Sequence, residues 1–212
     1  MDSEELLRRY AAGERDFAGV NLIKARIRPR RGSYLNLRDA IFRDADLRNV
    51  QAFHADLCGA DFTNANLEGA SLPYAQLRNA NLKGANFRSA DLREVDLCCA
   101  NCTDASFRGA NLKQANLTDV NLSNADIQDM IREEALFCNT TMPDGRVEND
   151  PIRVIDTAEF KRRYAAGERK FYDIVLYRAQ LIEADLQDVQ LARAQLIDAN
   201  LSGANFWRAC FE

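Results

Sequence analysis

Apolar residues return at every fifth position along most of this chain. From Ala40 to Asp129 the sequence divides without a break into 18 pentapeptides such as A-D-L-R-N, A-D-F-T-N and A-N-L-K-G. The first residue is Ala in 15 of them and Val at Val50, Val95 and Val120. The third is Leu, Phe or Ile in 16, with Ala52 and Cys102 the departures. The phase continues more weakly upstream through Phe17, Leu22, Ile27 and Leu37, and downstream through Phe137 and Met142. Period five excludes both regular structures. On an α-helix, residues five apart are rotated by about 140°, which would spiral the leucines around the surface. A continuous strand alternates with period two and would put successive leucines on opposite faces. A short extended piece followed by a bend satisfies the pattern. Residues two apart, such as Ala65 and Leu67, then point to one side while the other three cover the outside and turn. The result is a coil with one small and one large apolar residue inward per unit, the small one keeping a narrow interior from being overpacked.

The phase is lost after Met142-Pro143-Asp144-Gly145, a turn signal. It returns shifted at Phe171, Leu176, Leu181 and every fifth residue to Phe211. A near-duplicate segment precedes each block: R-R-Y-A-A-G-E-R-D-F at Arg8–Phe17 recurs as R-R-Y-A-A-G-E-R-K-F at Arg162–Phe171. Asp2 with Glu5, and Asp156 with Glu159, form D-x-x-E capping boxes. Gly13 and Gly167 suit the left-handed position that ends a helix. The sequence therefore predicts helices near 3–12 and 157–166. It also predicts two tandem domains. Residues 1–145 hold a capping helix and a long solenoid, and 146–212 hold a linker, a second capping helix and a short solenoid. A helix at a solenoid's end covers an apolar layer and open backbone groups that would otherwise recruit other chains. Capping is the expected role of both helices, ahead of recruitment through the R-R-Y-A-A-G-E-R segment.

The repeat resembles the pentapeptide-repeat family, whose consensus is A-(D/N)-L-x-x, and looks most like its bacterial and particularly cyanobacterial members. The resemblance covers nearly the whole chain. It implies a right-handed quadrilateral β-helix with four pentapeptides per coil, and so an all-β solenoid apart from the capping helices. Two places depart from the pattern. Arg30-Arg31-Gly32-Ser33-Tyr34 has no inward pair and is expected to form an irregular coil or outward loop. Val50-Gln51-Ala52-Phe53-His54 underfills its centre, leaving Phe53 or a neighbouring layer to compensate.

Composition narrows the chemistry. The 212 residues carry a net charge of −4 and a single histidine, His54. A broad basic nucleic-acid surface is excluded, and direct nucleic-acid binding is not expected. No run of 18 apolar residues exists and M-D-S-E-E-L-L-R-R-Y has no apolar core, so neither a membrane span nor a secretory signal is expected and the chain reads as cytoplasmic. Cys98, Cys99 and Cys102 form C-C-x-x-C, but the repeat puts Cys102 inward and the other two outside. These and the scattered Cys58, Cys138 and Cys210 read as free thiols in a reducing compartment. His54 reads as a surface residue. No catalytic residue, cofactor or metal site is expected.

The Asp and Asn before each Leu (Asp46, Asp56, Asp61, Asn66, Asn81, Asn86, Asp91, Asp96) are expected to bond neighbouring backbone at the bends. Lys24–Arg31 holds five positive residues in eight, read as a solvated loop with anion or partner contact as the alternative. Between residues 40 and 129 every Lys or Arg follows the central residue. A coil of four units then stacks Arg48, Glu68, Arg88 and Arg108 about 4.8 Å apart, where neighbouring arginines repel unless a counter-charge or an anionic partner intervenes.

Function is expected to be that of a non-enzymatic scaffold for an unknown protein partner, its outward columns presented to that partner. The resemblance implies an alternative, since some family members mimic duplex DNA and bind type II topoisomerases such as gyrase, conferring quinolone resistance. A mimic needs strongly acidic faces, whereas residues 40–129 carry 12 acidic and 8 basic residues. The last coil, with Phe206, Trp207 and Phe211, is expected to support a homodimer.

Overall fold

The structure, a computed structural model, describes residues 1–28 and 35–211. The loop expected at Arg30–Tyr34 lies outside them, as do Pro29, Arg30 and Arg31 of the basic cluster. The chain divides into two compact units, Met1–Glu148 and Asn149–Glu212.

In the first unit each fully described pentapeptide through Val120–Asn124 has the same local structure. Its second residue is extended and forms a parallel bridge with the second residue of a later pentapeptide, as in Asp46↔Asn66↔Asn86↔Ser106↔Asp126. The partners are four pentapeptides apart from Asn36↔Asp56 onward, and five apart in Asp16↔Ile41, Asn21↔Asp46 and Arg26↔Gln51. Each bridge is a pair of backbone bonds, for example Asn86 N–H to Ala65 O at 2.9 Å and Leu67 N–H to Asn86 O at 2.7 Å. The chain then bends in a four-residue turn, closed by Ala70 N–H to Leu67 O at 3.0 Å. The turn's third residue, the fifth of the pentapeptide, is left-handed throughout (Asn49 φ +57°, Gly69 φ +65°). That requirement explains the Gly, Asn and Asp there. At Gly69 a second reason applies, because a Cβ would lie 2.6 Å from Asn49 Oδ1 of the preceding coil.

One extended residue between turns is too short for a strand, so the coils are joined by single-residue bridges of the kind that stack a repeat β-helix. Two short strands occur among the described residues. β1 (Thr140–Thr141) pairs antiparallel with β2 (Val147–Glu148), Thr140 opposite Glu148, so the chain folds back after the Pro143–Gly145 turn.

Each coil points its Ala and its central residue inward, and both are buried from Leu37 to Leu122. Residues one coil apart stack: Phe42 on Phe62 with centroids 5.2 Å apart, Phe87 on Phe107 at 5.2 Å. Helix α1 (Ser3–Ala11) begins where Asp2 Oδ1 accepts from Glu5 N–H at 2.8 Å, and ends before Gly13, at φ +96°. Its Leu6 is fully buried in the cluster that contains Phe17 and Leu22, and the half-buried Leu7 and Tyr10 pack against the same cluster, so these three residues anchor the helix on the first coil. Ala52, where the sequence predicts an underfilled centre, lines a partly open apolar space of about 20 Å³ together with Ile27, Leu47 and Leu72 among others. Phe53 does not compensate, being 45% exposed. Its position in the turn directs it outward.

The second unit repeats the plan. Helix α2 (Thr157–Ala165) is capped by Asp156 accepting from Glu159 N–H at 2.7 Å, with Gly167 at φ +96°. Phe160 is fully buried, its ring 4.6 Å from that of Phe171. Bridges four pentapeptides apart follow, Lys170↔Gln190↔Cys210 and Val175↔Gln195 among them. Burial falls along this unit, from Leu176 and Leu181 to the half-buried Leu201 and Phe206.

Candidate functional site

Because coils repeat every four pentapeptides, outward side chains form columns of four kinds. The second-position Asp and Asn behave as the sequence predicts. Asp61 Oδ1 accepts from Thr63 N–H at 2.9 Å, Asn66 Oδ1 from Glu68 N–H at 3.1 Å and Asp96 Oδ1 from Cys98 N–H at 3.0 Å. They also bond between coils, as the sequence did not suggest. Asn81 Nδ2 donates to Asp61 at 3.3 Å, Asn86 to Asn66 at 3.1 Å and Asn116 to Asp96 at 3.0 Å. An amide can both donate and accept, so it continues a ladder, whereas a carboxylate can only end one.

The fourth-position arginines that pair follow a geometric rule. Some reach the second-position acid of their own pentapeptide, as in Arg48–Asp46 and Arg93–Asp91 (both 2.7 Å). Others reach the second-position acid of the pentapeptide stacked on theirs in the next coil, as in Arg43–Asp61 (2.6 Å) and Arg78–Asp96 (3.1 Å). Arg48 and Arg93 therefore hold Asp46 and Asp91 below the ordinary carboxylate range through side-chain hydrogen bonds. Around Lys83 and Arg88 the reachable positions are Asn81, Asn101, Asn86 and Ser106, and neither cation has an ion pair among the described residues. In the column Arg48, Glu68, Arg88, Arg108, the counter-charge for Arg48 is thus its own Asp46.

The cysteine reading needs one correction. Cys98 is buried, as is Cys58, and does not stand outside. A short side chain in this column cannot reach solvent past neighbours one coil away, about 4.8 Å above and below. Burial, reinforced by the Cys99 thiol at 3.4 Å, pushes the Cys98 thiol up to about 12. Burial also raises Cys102 strongly. Both thiols stay protonated at neutral pH, the unreactive form. Among the described residues no group of three or more His, Cys, Asp or Glu side chains is placed to hold a metal ion.

The fifth positions separate one column from the rest. From Asp39 onward, three of the columns in this unit carry Gly, Asn, Asp, Ser or one Cys, the small residues a left-handed turn favours. The fourth carries His54, Tyr74, Glu94, Gln114 and Glu134, all at φ between +53° and +61°. Their side chains bond along the column. The His54 ring stacks on Tyr74 with centroids 4.6 Å apart and 11° between planes. The Glu94 carboxylate, bonded to the Tyr74 hydroxyl, raises that phenol above its ordinary value. Gln114 donates to Glu134 at 2.6 Å. His54 is at the surface, as expected, but the sequence reading missed its column; the signal was the run of large residues where small ones belong.

A family model for pentapeptide repeats matches eight copies, over residues 33–64, 60–97, 99–130 and 175–212. Similar solved structures include Rfr23, a pentapeptide repeat protein of the cyanobacterium Cyanothece 51142 (23% identical, covering 62% of this chain and 92% of that one, TM-score 0.43). Another is HetL of the cyanobacterium Nostoc sp. strain PCC 7120, a pentapeptide repeat protein involved in heterocyst differentiation regulation (25% identical, 99% and 94% covered, TM-score 0.27). A third is QnrB1, a plasmid-mediated fluoroquinolone resistance protein (20% identical, 92% and 79% covered, TM-score 0.37). No curated protein matches the chain. Eighteen unbroken repeats, the bridges between coils and the family match over most of the sequence together establish that this chain belongs to the pentapeptide-repeat family.

Proposed function

We propose that this protein is a non-enzymatic scaffold that binds a protein partner through its outward columns. The observation that carries the reading is the register. Fourth- and fifth-position side chains repeat at one-coil spacing on a backbone whose bonds hold every coil to the next. Pentapeptide-repeat proteins are in general structural or interaction proteins, which agrees with that use. The coils are proposed to wind as a right-handed quadrilateral β-helix in two tandem domains, 1–145 and 146–212, in the reducing cytoplasm. The exposed Trp207 and Phe211, 60% and 54% accessible, support a homodimer joined through the second unit's last coil.

The test is capture of a partner by the immobilised chain and by four variants, each with the outward charges and rings of one column replaced by Ser. A scaffold loses its partner with one column and keeps it with the other three. Equal capture by all five proteins, or none by the intact chain, refutes the reading. The second reading, a DNA-mimicking modulator of gyrase, rests on family resemblance, and the cation pairing of the first unit argues against it: arginines neutralise the acids a mimic would display. Gyrase supercoiling is expected to be unaffected by micromolar protein; inhibition at that level would reverse the ranking.

A further inference from the structure

Most arginines of the first unit are neutralised by acids of the fold, as Arg38, Arg43, Arg48, Arg78 and Arg93 are by aspartates. Lys24, Arg26 and Arg28 are exposed and have no ion pair among the described residues. The rule that pairs the others explains this. The second-position residues within reach of Arg28 are Arg26, in its own pentapeptide, and Gln51, bridged to Arg26 in the next coil. Acids in the pentapeptides on either side of Gln51 are taken, Asp46 by Arg48 at 2.7 Å and Asp56 by Arg38 at 3.3 Å. Further along, Glu68 acts on Arg48 and Glu94 is bonded to the Tyr74 hydroxyl. Three like charges therefore collect without a counter-charge on a chain whose net charge is −4, an arrangement that repels itself and draws an anion. Exposed rings share this side. Its outward positions on three successive coils run Arg26 and Arg28, then Gln51 and Phe53, then Ser71 and, at the turn, Tyr74. Each row is one coil, about 4.8 Å, from the last. Phe53 and Tyr74 are 45% and 43% exposed.

The geometry points to this side as a docking surface for an extended, acidic segment of a partner protein, its carboxylate on Arg26 and Arg28 and, two residues on, an apolar side chain on Phe53 and Tyr74. Side chains two apart on an extended segment face the same way and lie about 7 Å apart, which carries the apolar one from the arginine row to between the rows of Phe53 and Tyr74. Two free guanidiniums suit a carboxylate, which each can bind through paired N–H groups. A peptide fits better than single-stranded nucleic acid, which needs open ring faces for its bases. His54 and Tyr74 stack on each other, centroids 4.6 Å apart, so the faces they share are closed to a base. The inference rests on the scaffold reading and names the partner's chemistry.

His54, the only histidine, adjoins Phe53 and supplies the readout, since its ring protons are a single reporter in the proton NMR spectrum. The intact chain is titrated with the blocked peptide Gly-Glu-Ser-Leu-Gly and with two controls, Gly-Lys-Ser-Leu-Gly and Gly-Glu-Ser-Ser-Gly. The first is expected to shift the His54 signals saturably below about 1 mM, and each control to bind at least about tenfold more weakly, the ratio that about 1.4 kcal/mol represents. Arg26→Gln with Arg28→Gln is expected to abolish binding, with the fold checked by circular dichroism, and Phe53→Ser to weaken it at least about tenfold. Lys83→Gln with Arg88→Gln removes two unpaired cations that belong to other pentapeptide columns and should leave binding unchanged. No saturable shift, no preference for the glutamate peptide, or equal losses with the two cation pairs overturns the proposal. Tighter binding of a single-stranded oligonucleotide than of the peptide also overturns it. Partner capture lost only with a different column refutes this inference and leaves the scaffold reading standing.

Discussion

Leu82 offers the sharpest test of the register. It is fully buried, in one column with Phe62 and Cys102. Its coil is held on both sides by backbone bonds, Leu82 N–H to Asn101 O at 2.8 Å and Asn81 N–H to Ala60 O at 2.9 Å. Leu82→Ala removes three buried methylene-sized groups, about 2.4 kcal/mol at about 0.8 kcal/mol each. The clamped coils cannot close over the space, so a cavity contribution adds to this and the total should reach about 3–4 kcal/mol, inside the usual ~2–5 kcal/mol for Leu→Ala. Next to it, Lys83 is exposed, and Lys83→Ala should change stability by no more than about 0.5 kcal/mol. Leu82→Met conserves volume and should cost less than about 1.5 kcal/mol. Urea unfolding followed by far-UV circular dichroism measures all three, with stability taken from midpoint and slope together. Equal losses at Leu82 and Lys83 would mean that the inward and outward positions are wrongly assigned.

Filling the space beside Ala52 is the converse experiment: Ala52→Val should raise stability by up to about 1 kcal/mol, and a lower urea midpoint would mean that the space is not there. At the N-terminus, Asp2→Ala should cost about 1 kcal/mol while Asp2→Asn keeps most of the cap; equal losses in thermal melts would deny the Asp2–Glu5 bond its role. The pH dependence follows from Asp46 and Asp91, whose folded pKa values lie below their unfolded ones because Arg48 and Arg93 bond to them. Their contribution is present above the unfolded value near 3.9 and is lost as pH falls through the folded values, so the urea midpoint should be level above about pH 5 and drop below about pH 4. Arg48→Gln with Arg93→Gln should flatten that drop; an unchanged slope would refute the assignment.

Much of the fold can be read directly from single residues, because the repeat forces local and global structure to agree. Ala65 and Leu67 point inward by spacing alone. Asp2 and Glu5, with Gly13, delimit a helix that the structure places at Ser3–Ala11. Ala52, the small residue at a central position, is among the residues that line an unfilled apolar space. The surface was less legible. Cys98 occupies an outward position yet is buried, since its exposure depends on neighbours one coil away, four pentapeptides along the chain. The role of Tyr74 was hidden for the same reason: nothing within its own pentapeptide links it to His54 or Glu94.

The period of five, the inward pairs, the two capped blocks and the family are legible in the chain without coordinates, because each pentapeptide or capping box carries its own signal among adjacent residues. Which side chains meet is a different matter, settled by the coiling. The return after four pentapeptides brings Arg43 to Asp61 and Asn81 to Asp61, and sets His54 on Tyr74. It leaves Lys83 and Arg88 facing amides and a hydroxyl. Contacts between coils depend on how many pentapeptides make one turn, a quantity set by the summed bend of successive turns and by the backbone bonds that lock each coil to the next.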